Sequence, residues 1–326
     1  MLGHDCATRA TRSSCKIMLH YNITNLITLT AMRSRLILTL ILVLIIPQQA
    51  QASTEAFSVA VTIKPIHSLV AGVMQGAGAP LLVMGTSASP HHYTLRPSER
   101  RALANASLIF WVGPELETFM PRILDSLDAS NKNVALIETE GLLRLPARAV
   151  HHHAGAGSRT DPHIWLSPQN AHVIVDAIAN ELSRLDAAHA HIYDNNRRRL
   201  HQRIDESDSQ IRRQLAGKTS AFLSYHDAYQ YFEQAYGLNN AGFVSGGDEI
   251  SPSAKYVHAL RDKIQKEQLH CLFYEAPNRP ALIDTLTHGL EIDALELDAM
   301  GARLDPGEDT WFEIINKLAD TFNSCL

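Results

Sequence analysis

Phe57-Ser58-Val59-Ala60-Val61-Thr62-Ile63 reads as a strand, and Pro65 directly after it starts a helix that runs through Val70 and Met74 to Gly76. Proline suits that place because the first helical turn has no use for its missing N–H. Leu81-Leu82-Val83-Met84 follows as a second strand. A helix from Ser98, a candidate N-cap, leads to the strand Leu108-Ile109-Phe110-Trp111-Val112, which Gly113 ends, and a further helix is expected near Glu115 to Leu127. Strands that alternate with helices in this way specify a parallel sheet covered on both faces.

Downstream the pattern becomes continuous helix from Pro168 to about Leu215, with a break near Leu185-Asp186-Ala187. Its second piece, about His189 to Ala216, is long and heavily charged, and Gly217 ends it. A helix polar on most sides bridges domains more often than it fills a core. The strand–helix rhythm then returns. Ala221 to Tyr225 is a strand, and Asp227 to Tyr236 a helix with Tyr229, Phe232 and Tyr236 on one face. Ser253 to Glu267 is helical, Leu272-Phe273-Tyr274 a strand and Trp311 to Phe322 a final helix. The expected fold is therefore α/β: two similar lobes with central parallel sheets, residues 53–188 and 217–326, joined by one long rigid helix over 189–216.

Upstream, Arg33 and Arg35 precede an unbroken apolar run from Leu36 to Ile46, Pro47 ends it, and Ala50-Gln51-Ala52 offers a small-x-small cleavage site. That is the layout of a secretory signal peptide, here residues 32–52. Eleven apolar residues are too few to span a bilayer as a helix. Residues 1–31, polar and without pattern, are read as an upstream translation start outside the native protein. The excluded segment holds Arg9, Arg12, Lys16, Arg33 and Arg35 against Asp5, so its loss takes the net charge from −5 to −9. Such an acidic balance argues against nucleic acid as a partner. Of the four cysteines, Cys271 and Cys325 remain, and an even pair in an exported chain reads as one disulfide that would pin the last helix to the sheet.

Three histidines sit in short contexts of proline or aromatic residues: His91 in Ser89-Pro90-His91-His92-Tyr93, His163 in Asp161-Pro162-His163-Ile164-Trp165, and His226 in Tyr225-His226-Asp227-Ala228-Tyr229. Only a folded chain brings them together. In open α/β sheets ligands bind beyond the carboxyl ends of strands. His91 and His226 belong at such ends, one in each lobe, whereas His163 follows no visible strand. Neutral imidazole is the commonest zinc ligand, and three leave one tetrahedral position open. Spacing alone does not choose between His91 and its neighbour His92. His172, His189, His191, His201, His258, His270 and His288 lie on helical stretches or helix ends and read as ordinary surface residues. His151-His152-His153, followed by Ala-Gly-Ala-Gly-Ser, forms a loop able to gather metal loosely.

The segments Ser89–Ser98, Asp161–Leu166, Tyr225–Phe232 and Leu297-Asp298-Ala299-Met300-Gly301, in that order and preceded by Lys64-Pro65-Ile66-His67-Ser68-Leu69, resemble the ligand segments of the metal-binding solute-binding proteins of ABC transporters. The periplasmic zinc-uptake (ZnuA-type) branch is the nearest in pattern. The resemblance covers the whole chain beyond the signal. It implies His91 rather than His92 as a ligand, with His163, His226 and Asp298 completing the shell, and it implies the Cys271–Cys325 disulfide. Three nitrogens with at most one carboxylate suit Zn(II) better than Mn(II). Two departures from the pattern stand out. Pro90 replaces an acidic residue of some zinc members, and Asp298 is followed by Ala-Met-Gly rather than Pro-Leu-Gly, which leaves water as an alternative fourth ligand.

The resemblance thus implies a monomeric, periplasmic Zn(II)-capture protein, not an enzyme, that serves the inner-membrane permease and ATPase of a zinc importer. A zinc hydrolase would use the same three histidines but needs a general base. There is no His-Glu-x-x-His helix, and Glu275 is the one candidate near a strand end. A metal chaperone or adhesin on the same fold is a further alternative, although no cysteine for a lipid anchor follows the cleavage point.

Overall fold

Strand β1 (Val59–Val61) is buried at every residue, and helix α1 (Lys64–Met74) starts with Pro65 in its first turn. The computed structural model describes residues 57–85, 89–127, 132–148, 159–245 and 252–326; the expected signal peptide and the His151–His153 loop lie outside them. β1 joins β2 (Leu81–Leu82), β3 (Leu108–Trp111) and β4 (Lys132–Ala135) in an all-parallel sheet of order β2-β1-β3-β4. A second all-parallel sheet holds β5 (Ala221–His226), β6 (Asn239–Ser245), β7 (Cys271–Glu275) and β8 (Asp293–Leu297) in the order β6-β5-β7-β8. Both sheets follow one winding scheme: the first strand lies inside, the second pairs on one side of it, and the third and fourth pair on the other. The expectation of two similar parallel lobes is met.

Helices α2 (Pro97–Ala104), α3 (Met120–Leu124), α4 (Pro168–Leu185) and α5 (Ala190–Gln214) follow in the first half of the chain. After β5 come α6 (Gln230–Tyr236), α7 (Ala254–Glu267), α8 (Ala281–Thr287) and α9 (Thr310–Cys325). Several boundaries differ from the sequence reading. The helix expected over Glu115 to Leu127 is only the five residues of α3. The reason lies in Glu117, whose buried carboxylate accepts from the amides of Val112 and Gly113 and from the Thr62 hydroxyl, so it ties a turn between β1 and β3. α2 starts at Pro97 instead of Ser98, and Glu99 reaches back to the Arg96 amide. The helix expected from Asp227 starts at Gln230.

The long helix α5 spans 25 residues, and its packing is less open than its charge suggests. Tyr193, Leu200, Ile204 and Ile211 form a buried stripe, and the helix packs against α1, α4 and α9. α9 joins the same packing. It belongs to the second half of the sequence yet packs on α1 and α5 as well as β8. One hydrophobic cluster therefore runs through residues of both sheets, from Val59 and Phe110 to Phe273 and Phe322, and a smaller one lies around Leu223, Leu260 and Leu272.

Polar bonds fix the same junction. Trp165 and Trp311 are wholly buried, and each indole N–H has its acceptor: Trp311 donates to the Trp165 carbonyl at 2.9 Å, and Trp165 to the Ala299 carbonyl at 3.0 Å. Lys64, 7% exposed, donates to the carbonyls of Gly301, Ala302 and Leu304. Cys271 and Cys325 form a disulfide with Cα atoms 6.0 Å apart, which ties α9 to the start of β7 as expected. No helix among the described residues is long and apolar enough to cross a membrane.

Candidate metal centre

His226 is the last residue of β5, and Glu275 the last of β7 beside it. The two strands border the point where the winding of the second sheet reverses, which is where ligands bind in open α/β sheets. His91 lies in a single 3-10 turn, Pro90–His92, whose His91 carbonyl accepts from the Thr118 hydroxyl. His163 precedes another 3-10 turn, Ile164–Leu166, that seats Trp165 in the core. These three segments bring the imidazoles together edge to face. Ring centroids are 5.7 Å apart for His91–His163, 5.7 Å for His91–His226 and 5.3 Å for His163–His226. One nitrogen from each ring lies within 4.8 Å of the other two.

The outward nitrogens are held. His163 Nδ1 lies 2.7 Å from Asp161 Oδ1, which also accepts the His163 amide, and both residues are buried. His226 Nδ1 lies 2.9 Å from Glu275 Oε2. A carboxylate on the far nitrogen fixes the tautomer and aims the near one, the arrangement that orients imidazoles around a metal. His91 Nε2 is buried with no hydrogen-bond partner, a lone pair left for something to fill. Tetrahedral zinc with N–Zn of about 2.0–2.1 Å sets nitrogens about 3.4 Å apart, so the three atoms need only a short contraction to share one ion.

Burial pushes the pKa of His91 down to about 3, helped by the neighbouring His163 and His226. Burial also lowers that of His226, but the charge and hydrogen bond of Glu275 outweigh it and the net shift is upward. Glu275 is displaced the other way: burial raises its carboxyl, yet His226 and the other two imidazoles hold it below the usual range. The site therefore pairs an ionised carboxylate at Glu275 with His226, which gives up a proton to take a metal ion, while His91 is held neutral.

His91, not the exposed His92, lies together with His163 and His226. Asp298 does not. Its carboxylate accepts the amides of Ala302 at 2.8 Å and Arg303 at 3.2 Å, which closes a tight turn. Gly301 sits in that turn at φ +65°, where an added Cβ would lie 3.0 Å from Ile314. The turn's amides thus go to Asp298 and three of its carbonyls to Lys64, so the segment expected to coordinate is engaged in joining the lobes. Sequence reading missed Asp161 as an orienting group, although an acid two residues before a histidine is visible in Asp161-Pro162-His163. It took Glu275 for a candidate base; the structure makes it the partner of His226.

Residues 59–325 match the family model described as zinc-uptake complex component A, periplasmic. The chain belongs to that family. It is 33% identical over 308 residues to the high-affinity zinc uptake system protein ZnuA of Brucella abortus (strain 2308), covering 83% of this chain and 92% of that one. The protein of the same name from Paracoccus denitrificans (strain Pd 1222) is 33% identical over 310 residues, with 84% and 93% covered. Among solved structures, the periplasmic zinc-binding protein TroA from Treponema pallidum superposes with TM-score 0.71 at 25% identity, covering 82% of this chain and 98% of that one. The solute-binding protein FpvC from Pseudomonas aeruginosa, solved with Mn2+, superposes with TM-score 0.73 at 20% identity, covering 82% and 98%, and so shares the fold. The family consists of periplasmic metal-binding solute-binding proteins of zinc uptake, not of enzymes.

Proposed function

We propose that this chain captures Zn(II) in the periplasm through His91, His163 and His226 and delivers it to the permease of an ABC-type importer, whose ATPase drives uptake. The observation that carries the reading is the convergence of three imidazoles, two of them aimed by Asp161 and Glu275 and the third left with a buried, unpartnered nitrogen. Three neutral nitrogens form a borderline-soft set that favours Zn(II) over Mn(II). The fourth position is assigned to water, because Asp298, whose carboxylate closes its own turn, does not group with the three imidazole nitrogens. Glu275, the candidate base, is engaged at His226, which agrees with capture. The shared core and the Lys64 bonds across the lobes favour a small closure around the ion over a wide hinge.

Elemental analysis of protein purified without chelators tests this. The unaltered chain and Asp298→Asn should both hold zinc, whereas His91→Ala, His163→Ala and His226→Ala should each lose most of it. Unchanged zinc in any of the three histidine variants removes that residue from the shell. For delivery, the test is zinc uptake into membrane vesicles that contain the permease and ATPase; uptake that does not depend on the added binding protein overturns it.

A further inference from the structure

A second group of imidazoles lies away from the cleft, on the paired helices α4 and α5. His172 and Asp176 are one turn apart on α4, and His201 and Asp205 repeat that spacing on α5. The pairs cross over. His172 Nε2 is 2.9 Å from Asp205 Oδ1, and His201 Nε2 is 2.8 Å from Asp176 Oδ1. The ring centroids are 4.6 Å apart with 27° between planes, so the rings meet edge to edge, and their Nδ1 atoms face each other at 2.5 Å.

A carboxylate only accepts hydrogen bonds, so each Nε2 carries the hydrogen, and a neutral imidazole protonated there has a bare lone pair at Nδ1. Two lone pairs thus point at one another with no donor between them. Neutral rings would repel in this geometry, and a shared cation removes the repulsion. We infer that His172 and His201 form an auxiliary site for a borderline-soft divalent cation such as Zn(II), bound through both Nδ1 atoms. A carboxylate behind each ring is the arrangement that orients histidine toward a metal and raises its basicity. The imidazoles are about a quarter exposed, at 26% and 24%, so an ion can enter from solvent and water can complete its shell. Arg197 offsets part of the negative charge at Asp176, but it is shared with Asp194. Zinc at about 2.0–2.1 Å from each nitrogen holds the pair about 3.4 Å apart, so the rings need to part by only about 1 Å.

The test is Zn(II) titration by calorimetry on the full mature chain, with and without His91→Ala, His163→Ala and His226→Ala. The chain lacking the cleft ligands should still bind zinc, and adding His172→Ala and His201→Ala should remove one equivalent. The same two changes in the otherwise unaltered chain should also cost one equivalent and leave the tighter cleft binding in place. Asp176→Asn should weaken the auxiliary equivalent about 10–100-fold. Stoichiometry unchanged by the two helix substitutions overturns the proposal, whatever the cleft does. That outcome would leave a proton as the bridging cation. Should those variants fold poorly, zinc-soaked crystals of the unaltered chain decide: an anomalous peak between the two Nδ1 atoms is expected, and its absence refutes the site.

Discussion

Lys64→Met isolates the bond system that couples the two lobes. The ammonium of Lys64 donates to Gly301 O at 2.8 Å, Leu304 O at 2.9 Å and, more weakly, Ala302 O at 3.3 Å. Hydrogen bonds from a charged group are worth about 1.5–3 kcal/mol each, and methionine keeps most of the apolar stem while leaving these carbonyls without their donor. The desolvation of a buried ammonium, itself several kcal/mol, is relieved by the change. Two good bonds are worth about 3–6 kcal/mol together, and the relief offsets about half of that, which leaves a net destabilisation of about 1–3 kcal/mol. For a chain of this size that lowers Tm by about 2–9 °C. Thermal unfolding followed by circular dichroism checks it. The turn at 298–304 also loosens, so the zinc Kd should rise in the variant even though no ligand has changed. A variant with unaltered Tm and unaltered Kd would refute the view that Lys64 holds the lobes in register.

Three further outcomes follow from the same geometry. Glu275→Gln leaves His226 in place but removes the ionised group behind it, and zinc affinity measured by chelator competition should fall about 10–100-fold; a smaller loss means that the carboxylate does not orient the ring. Zinc affinity should fall as pH drops, because His226 must give up a proton to bind and its pKa is raised above 6.5, while His91, held down to about 3, stays neutral. The decline should begin above pH 6.5 at about tenfold per unit for the proton that His226 gives up, and calorimetry showing equal affinity at pH 7.5 and 5.5 would contradict it. Cys325→Ser opens a loop of sequence separation 54 and should cost about 4 kcal/mol in denaturant unfolding, with reducing agent having the same effect on the unaltered chain and none on the variant.

The parallel α/β architecture was legible because its inner strands are buried on both faces and therefore read as unbroken apolar runs, as at Leu108 to Trp111, 0–5% exposed. Of the four edge strands only β2, read from Leu81 to Met84, was legible. β4 opens with the exposed Lys132 and Asn133, β6 with Asn239 and Asn240, and β8 with Asp293, so none carries a clear apolar signal. The three cleft histidines stood out through their proline and aromatic neighbours, which correspond to the tight turns that hold His91 and His163. The role of Asp298 could not be read from its motif, because it depends on how the chain turns back onto its carboxylate, in a segment that Lys64, more than two hundred residues away, holds by its carbonyls. His172 and His201 were passed over for a similar reason: a histidine on one helix says nothing until the helix packed against it is known, although the repeated His-x-x-x-Asp spacing was there to see.

If one zinc ion is held by an imidazole from each of His91, His163 and His226, zinc-edge X-ray absorption on protein loaded with a single equivalent should register all three. Three imidazole nitrogens at about 2.0–2.1 Å and one oxygen are expected. A shell with fewer than three imidazoles, or one left intact by His226→Ala, would contradict this arrangement.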